Sequence, residues 1–421
     1  MIALTPKPEN DFLKFIKTYF NECHRRFPKI EAIAGKWGFE DLIPGMSDFD
    51  TRFICSDDIT VDEWCTMSTV VGEVHLDMCR RFPEWIRILE HLPGVNLTWE
   101  ELLDDFTYYP EYRQWSFYFC VNQAKLDRAL NTLNSRLWDD RDEYFHLKKF
   151  TTYYGPYDRE IDVPINLGEY LCKYPLHSRI MHYFSPPVQS AVSIILKRPI
   201  RSKVEAFRLA SRMFPELKIF NEIFEILGVH YEVQQLYEEP YLSEFDKRLF
   251  AALEVVMNEL RNHITLIPEE NRGSVSDWKH ALQKVQVAPQ MLVFDNCRFS
   301  RLMKGRLCFY AAAPAYFDNI FLIQNELKRL GNNFYRVPYK TFWKIVKGES
   351  VSDPDTIINK LVPDILTEKE AAATLEFSRL MPGVWEEGKE VEIALKTCTI
   401  FDDFYRGLNK IQQELAAKIK N

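Results

Sequence analysis

A chain of 421 residues exceeds the roughly 100–200 residues of one ordinary domain, so two or three packed units are expected. With 46% hydrophobic and 14% aromatic residues, it is too apolar to remain disordered and rich enough to build large packed faces. A formal net charge of -8 sets the surface as a whole against phosphate backbones, which argues against an indiscriminate nucleic-acid binder.

The first element expected is a helix from Asn10 to Arg26, because Phe12, Phe15, Ile16, Tyr19 and Phe20 recur at helical spacing. Past Pro28, the run Ile30-Glu31-Ala32-Ile33-Ala34 reads as a strand. Gly35, Gly38 and Pro44-Gly45 form a glycine-bearing turn, and Asp48 to Ile54 reads as a second strand. Thr60 and Glu63 form a capping-box pattern, so a helix should run from there to about Arg81, ahead of Pro83. After a loop near Pro93-Gly94, a second capping box at Thr98 and Glu101 opens a short helix, and Trp115 to Val121 is a further strand. Phe145 to Tyr154 and Arg159 to Ile165, turned at Gly155-Pro156, complete a strand-rich half.

From about Leu167 the pattern becomes helical. Leu249, Leu253, Val256, Met257 and Leu260 share one face, as do Phe404, Leu408, Ile411 and Leu415. Prolines at 186, 187, 199, 268 and 314 divide this half into helices of medium length. The expected fold class is therefore α+β: a mixed sheet with flanking helices over residues 1–166, then a mostly α-helical region over 167–421 with an internal break near 265–295.

The chemistry-bearing pattern is Asp48-Phe49-Asp50. In an extended chain, alternate side chains share a side, so both carboxylates project together while Phe49 points into the core. Two carboxylates on one rigid edge suit Mg²⁺ or Mn²⁺, which take one or two protein carboxylates and fill the other positions with water and substrate phosphates. Upstream, Gly35 removes a side chain where backbone would approach a ligand, and Lys36 offers a cation to phosphate.

Ala34-Gly35-Lys36, then eleven residues, then Asp48-Phe49-Asp50 resembles the signature of the polymerase-β-like nucleotidyltransferases. The run Pro44-Gly45-Met46-Ser47-Asp48-Phe49-Asp50 is similar to the form found in the small-molecule, aminoglycoside-type branch. The resemblance covers about Asp11 to Ile54 and implies a nucleotidyltransferase-like N-terminal domain. It further implies Mg²⁺ or Mn²⁺ on Asp48 and Asp50, and a nucleoside triphosphate, ATP foremost, as co-substrate. Gly35, Lys36, Ser47 and Arg52 would lie along the phosphates. A third carboxylate, for metal or proton, falls to Asp162, with Glu160 a competitor on the same strand face.

The chain departs from the family at Lys36, which stands where a serine or glycine is usual. Either an ammonium replaces the hydroxyl contact to phosphate, or the site is altered and non-catalytic.

The implied reaction moves a nucleoside monophosphate onto a hydroxyl of a small molecule, since an acidic chain attracts a cationic or polar acceptor better than RNA. Nucleotidylation of a protein or an RNA end, and a catalytically inactive binding or scaffold module, are the alternatives.

The remaining patterns carry plainer readings. Arg298, Arg301, Lys304 and Arg306 read as a solvated helix face, and His75, His91, His177 and His182 lack zinc spacing. The nine cysteines are scattered singly and read as reduced thiols. With neither a secretory leader nor an apolar run of about 18–20 residues, no membrane partner and a cytoplasmic location are expected.

Overall fold

A computed structural model describes residues 9–36, 41, 49–83, 85, 95–105, 108–154, 176, 178–229, 239–286, 291, 337–351, 353–380 and 389–420. Helix α1 (Glu9–Arg26) buries the predicted apolar stripe, Phe12, Phe15, Ile16, Tyr19 and Phe20. It feeds β1 (Ile30–Gly35), and β2 (Thr51–Cys55) pairs antiparallel to it, Gly35 opposite Thr51 and Ala34 opposite Arg52. Helix α2 (Val61–Arg81) starts at the Thr60–Glu63 capping box, with both reciprocal hydrogen bonds present.

A four-residue strand, β3 (Val95–Thr98), lies parallel to β2 and passes directly into α3 (Trp99–Leu103), whose capping box is Thr98–Glu101. A 3₁₀ turn at Pro110–Gln114 leads to β4 (Ser116–Cys120), antiparallel to β1. The sheet order is β3-β2-β1-β4, a mixed four-stranded sheet.

Helices α4 (Gln123–Ser135) and α5 (Asp140–Tyr154) follow. The strand expected over Phe145 to Tyr154 is thus a correction: those residues form the last two-thirds of α5. Aromatic and threonine residues favour a strand locally, but Tyr144, Leu147, Phe150, Thr151 and Tyr154 are buried at helical spacing. Asp140, Asp142 and Glu143 also suit the first turn, and packing of an apolar face outweighs local propensity. The expected partner strand, Arg159 to Ile165, and its Gly155-Pro156 turn lie outside the described residues.

A π-helical turn at Ser178–Phe184 continues into α6 (Ser185–Leu196), followed by α7 (Lys203–Met213), α8 (Ile219–Val229), α9 (Glu239–Leu260) and α10 (Val275–Gln286). The C-terminal elements are α11 (Val337–Lys347), α12 (Pro354–Lys360), α13 (Glu368–Leu380) and the long α14 (Glu390–Lys420). The fold class is α+β, with the sheet in the N-terminal part and a mainly helical C-terminal region.

Strand alternation divides the sheet between two cores. Ala32, Ala34, Ile54 and Leu97 face a core shared with α3 to α10. Ile33, Phe49, Phe53 and Cys55 face one built from α1, α2 and α11 to α14, with Phe404, Leu408, Ile411 and Leu415 of α14 fully buried. Helices therefore cover both faces, and the face carrying Arg52 looks toward α5, α6 and α7. Among the described residues, no helix is long and apolar enough to cross a membrane.

Candidate functional site

The site begins with a packing constraint. A Cβ at Gly35 would lie 2.7 Å from Phe49 Cε2 and 3.0 Å from Tyr118 Cε2, so only glycine lets the Phe49 ring settle there. The Phe49 ring is 1% exposed and meets Phe12 and Tyr118 edge-on, at centroid distances of 6.3 and 5.2 Å. The absent side chain at Gly35 thus makes room for an aromatic ring, where the sequence suggested room for a ligand. With Phe49 anchored on that side, alternation places Asp50 and Arg52 on the opposite face.

Asp50 precedes the first paired residue of β2 and is half-buried, so the paired strand starts later than the expected Asp48. Extending the β1–β2 register by one step sets Lys36 across from Asp50. Arg52 is 7% exposed, donates through Nη1 to the Thr51 carbonyl at 3.0 Å, and places its guanidinium 5.9 Å from the Trp115 ring.

Glu111, carried by the 3₁₀ turn before β4, draws these cations together. Its Oε1 accepts from Arg52 Nη2 at 3.4 Å and from Trp115 Nε1 at 3.2 Å, and its Oε2 lies 3.9 Å from Lys36 Nζ. Burial works against charge on Lys36, yet the carboxylates of Glu111 and Asp50 outweigh it and hold the ammonium above the ordinary lysine range.

The helical half adds two further lysines. Lys149 on α5 donates to Gln189 Oε1 of α6 at 3.0 Å, while Gln189 Nε2 donates to the Ile200 carbonyl at 2.9 Å. Burial, then the neighbouring charges of Lys36 and Lys203, pull Lys149 well below the ordinary lysine range, offset in part by Glu111 and Asp41. Lys203 is the first residue of α7 and is 9% exposed.

Asp41, 6% exposed, lies in the connection between β1 and β2 and reaches across to α7. It accepts from Ser202 Oγ at 2.9 Å, Lys203 N at 2.8 Å and Val204 N at 3.0 Å. Burial raises its carboxyl above the ordinary aspartate range, although Lys203 and these three hydrogen bonds pull the other way.

The structure therefore brings Gly35, Lys36, Asp50 and Arg52 to one corner of the sheet. Ser47, Asp48, Glu160 and Asp162, and the Arg298, Arg301, Lys304 and Arg306 cluster, lie outside the described residues. Among those described, no group of three or more His, Cys, Asp or Glu side chains is placed to hold a metal ion. Asp50 is the described residue of the expected metal pair.

Asp41, Glu111, Lys149 and Lys203 were not legible as site residues, because only the folded chain brings Glu111 to Lys36 and gathers Lys36, Asp41 and Lys203 around Lys149. The one sequence signal was the Lys148-Lys149 pair set between the apolar residues Leu147 and Phe150.

Comparison of the chain with family models, with curated proteins and with solved structures finds no significant match.

Proposed function

We propose that the chain is a Mg²⁺-dependent nucleotidyltransferase that moves a nucleoside monophosphate from a nucleoside triphosphate, ATP foremost, to a hydroxyl of a small molecule. The observation that carries this reading is the gathering of Lys36 and Arg52 at the sheet corner where Asp50 sits, with Lys149 of α5 within electrostatic range of Lys36 and Lys203 of α7 within range of Lys149. Lysine and arginine head groups gathered in a partly buried corner favour an anionic ligand, and a polyphosphate chain supplies negative charge over the length such a group spans.

Asp50, with Asp48 two residues earlier, would hold the divalent cation. Such an ion neutralises the phosphates and aligns the attacking oxygen when bound. The acceptor hydroxyl attacks the α-phosphorus, the bond from that phosphorus to the bridging oxygen breaks, and pyrophosphate leaves. The hydroxyl proton passes to a carboxylate, the role assigned to Asp162 with Glu160 as competitor. Glu111 does not suit that role, since Arg52, Trp115 and Lys36 already engage its two oxygens. It serves as the counter-ion that balances Lys36 and Arg52 in the absence of ligand.

Lys36 also favours the alternative of a binding or scaffold module. Its ammonium lies within electrostatic reach of Asp50 and would compete with a divalent cation for that carboxylate. Titration calorimetry with ATP, with and without Mg²⁺, separates the two readings. The enzyme reading expects binding that strengthens with Mg²⁺ and weakens in both Lys149→Met and Asp50→Asn. Binding indifferent to Mg²⁺ and to Asp50→Asn supports the module, and no binding of any nucleoside triphosphate overturns both.

A further inference from the structure

Asp41 is an unusual helix partner. Ser202 already caps α7, with its Oγ accepting from Glu205 N at 3.0 Å, as the N-cap of an isolated helix would. The amides of Lys203 and Val204 remain, and a carboxylate more than 160 residues earlier in the chain accepts both, at 2.8 and 3.0 Å, together with the Ser202 hydroxyl. Three donors converge on two buried oxygens: Oδ1 takes Ser202 Oγ and Val204 N, and Oδ2 takes Lys203 N. Such charge-assisted bonds in a low-dielectric setting fix geometry more firmly than a neutral cap.

The carboxylate comes from the connection between Lys36 and Asp50, and the amide it holds belongs to Lys203, whose charge reaches Lys149. The α6–α7 junction is tied down independently. Gln114 Nε2 donates to the Ile200 carbonyl at 3.2 Å, and Arg201 Nε donates to the Arg113 carbonyl at 3.1 Å. Those contacts secure the approach to α7 but leave the Lys203 and Val204 amides to Asp41.

We propose that Asp41 is a positioning residue: by holding the Lys203 and Val204 amides of α7, it sets Lys203 within range of Lys149, so that the triphosphate meets Lys36, Lys149 and Lys203 together. This rests on the nucleotidyltransferase reading and adds that Asp41 couples the helical half to the phosphate site. It also distinguishes Asp41 from a purely structural cap, which would stabilise α7 without altering what Lys203 contributes to binding.

The test is a double-mutant cycle on ATP affinity in Mg²⁺, using Asp41→Asn and Lys203→Met singly and together on the full chain. The asparagine retains one acceptor but turns an N–H toward the Lys203 amide. It should therefore misplace the turn while leaving the fold intact, and Asp41→Ala serves as a second variant. In the parent chain, Lys203→Met should weaken ATP binding about tenfold, the size of one lost charge-assisted contact. In the Asp41→Asn background the same change should cost little, because Lys203 is already out of place.

Amide exchange at Lys203 and Val204 should accelerate on the order of tenfold or more in Asp41→Asn, with Phe207 and Ala210 unchanged. An equal Lys203→Met penalty in both backgrounds overturns the positioning role even if those amides exchange faster. Absence of ATP binding in the parent chain instead overturns the underlying functional reading, and this inference with it.

Discussion

Neutralising Glu111 should move stability and ligand affinity in opposite directions. The side chain is 11% exposed, and its carboxylate lies 3.4 Å from Arg52 Nη2 and 3.9 Å from Lys36 Nζ. At an effective dielectric constant of about 20, each attraction is roughly 4 to 5 kcal/mol before desolvation is counted. Removing one partner of a buried pair typically costs about 3 to 5 kcal/mol, because the other charge is left uncompensated. Glu111→Gln keeps an oxygen to accept from Trp115 and Arg52, so the lower end, about 3 kcal/mol, is expected in urea unfolding.

The same change leaves Lys36 and Arg52 short of negative charge, which a triphosphate then supplies. ATP should bind about tenfold more tightly to Glu111→Gln and recover part of the lost stability through linkage. Calorimetry and unfolding with and without ATP measure both effects. If Glu111→Gln loses affinity along with stability, Glu111 faces the ligand or its metal, and the counter-ion assignment is wrong.

Three further outcomes are expected. Gly35→Ala should destabilise the fold by about 1 to 3 kcal/mol, because the added Cβ meets the Phe49 ring at 2.7 Å; an unchanged urea midpoint would show that this ring shifts freely. His146 is 1% exposed, and burial, with Lys149 and Arg113 nearby, holds its ring well below the ordinary histidine range. The folded chain keeps it neutral while the unfolded chain protonates below about pH 6.5, so its contribution is complete above that pH. It is lost on acidification at up to about 1.4 kcal/mol per pH unit. His146→Phe should flatten that part of the stability–pH profile, and an identical slope would refute the assignment.

Lys149, held well below the ordinary lysine range, should take up a proton when a polyanion binds, so that ATP affinity rises as pH falls through the alkaline range. Calorimetry in two buffers of different ionisation enthalpy should show this uptake, and its persistence in Lys149→Met would assign the proton elsewhere.

What the sequence revealed of the fold was what short-range interactions determine. The capping boxes at Thr60–Glu63 and Thr98–Glu101 are closed within four residues, and both form as read. The stripes of α1, α9 and α14 were visible because a single face carries their apolar residues. Helix α5 was misread because its aromatic residues suit a strand locally and only its packing partners settle the matter. Strand β3 passed unnoticed because four residues running straight into a helix cap give too short an alternation to see.

The site divides in the same way. Phe49 could be placed in the core from its neighbours, and its burial fixes the side on which Asp50 stands. Glu111 and Lys149 reach Lys36 from 75 and 113 residues along the chain, and Lys203 reaches Lys149 from 54, separations that no local pattern encodes.

Transfer of an α-labelled nucleoside phosphate tests the central claim most directly, with ATP, Mg²⁺ and a panel of small hydroxyl acceptors, comparing the parent chain with Asp50→Asn. The account predicts metal-dependent pyrophosphate release matched by label on an acceptor, reduced about 100-fold or more by Asp50→Asn, as loss of several kcal/mol of metal stabilisation requires. Equal transfer by Asp50→Asn, or tight triphosphate binding with no turnover on any acceptor, would contradict it.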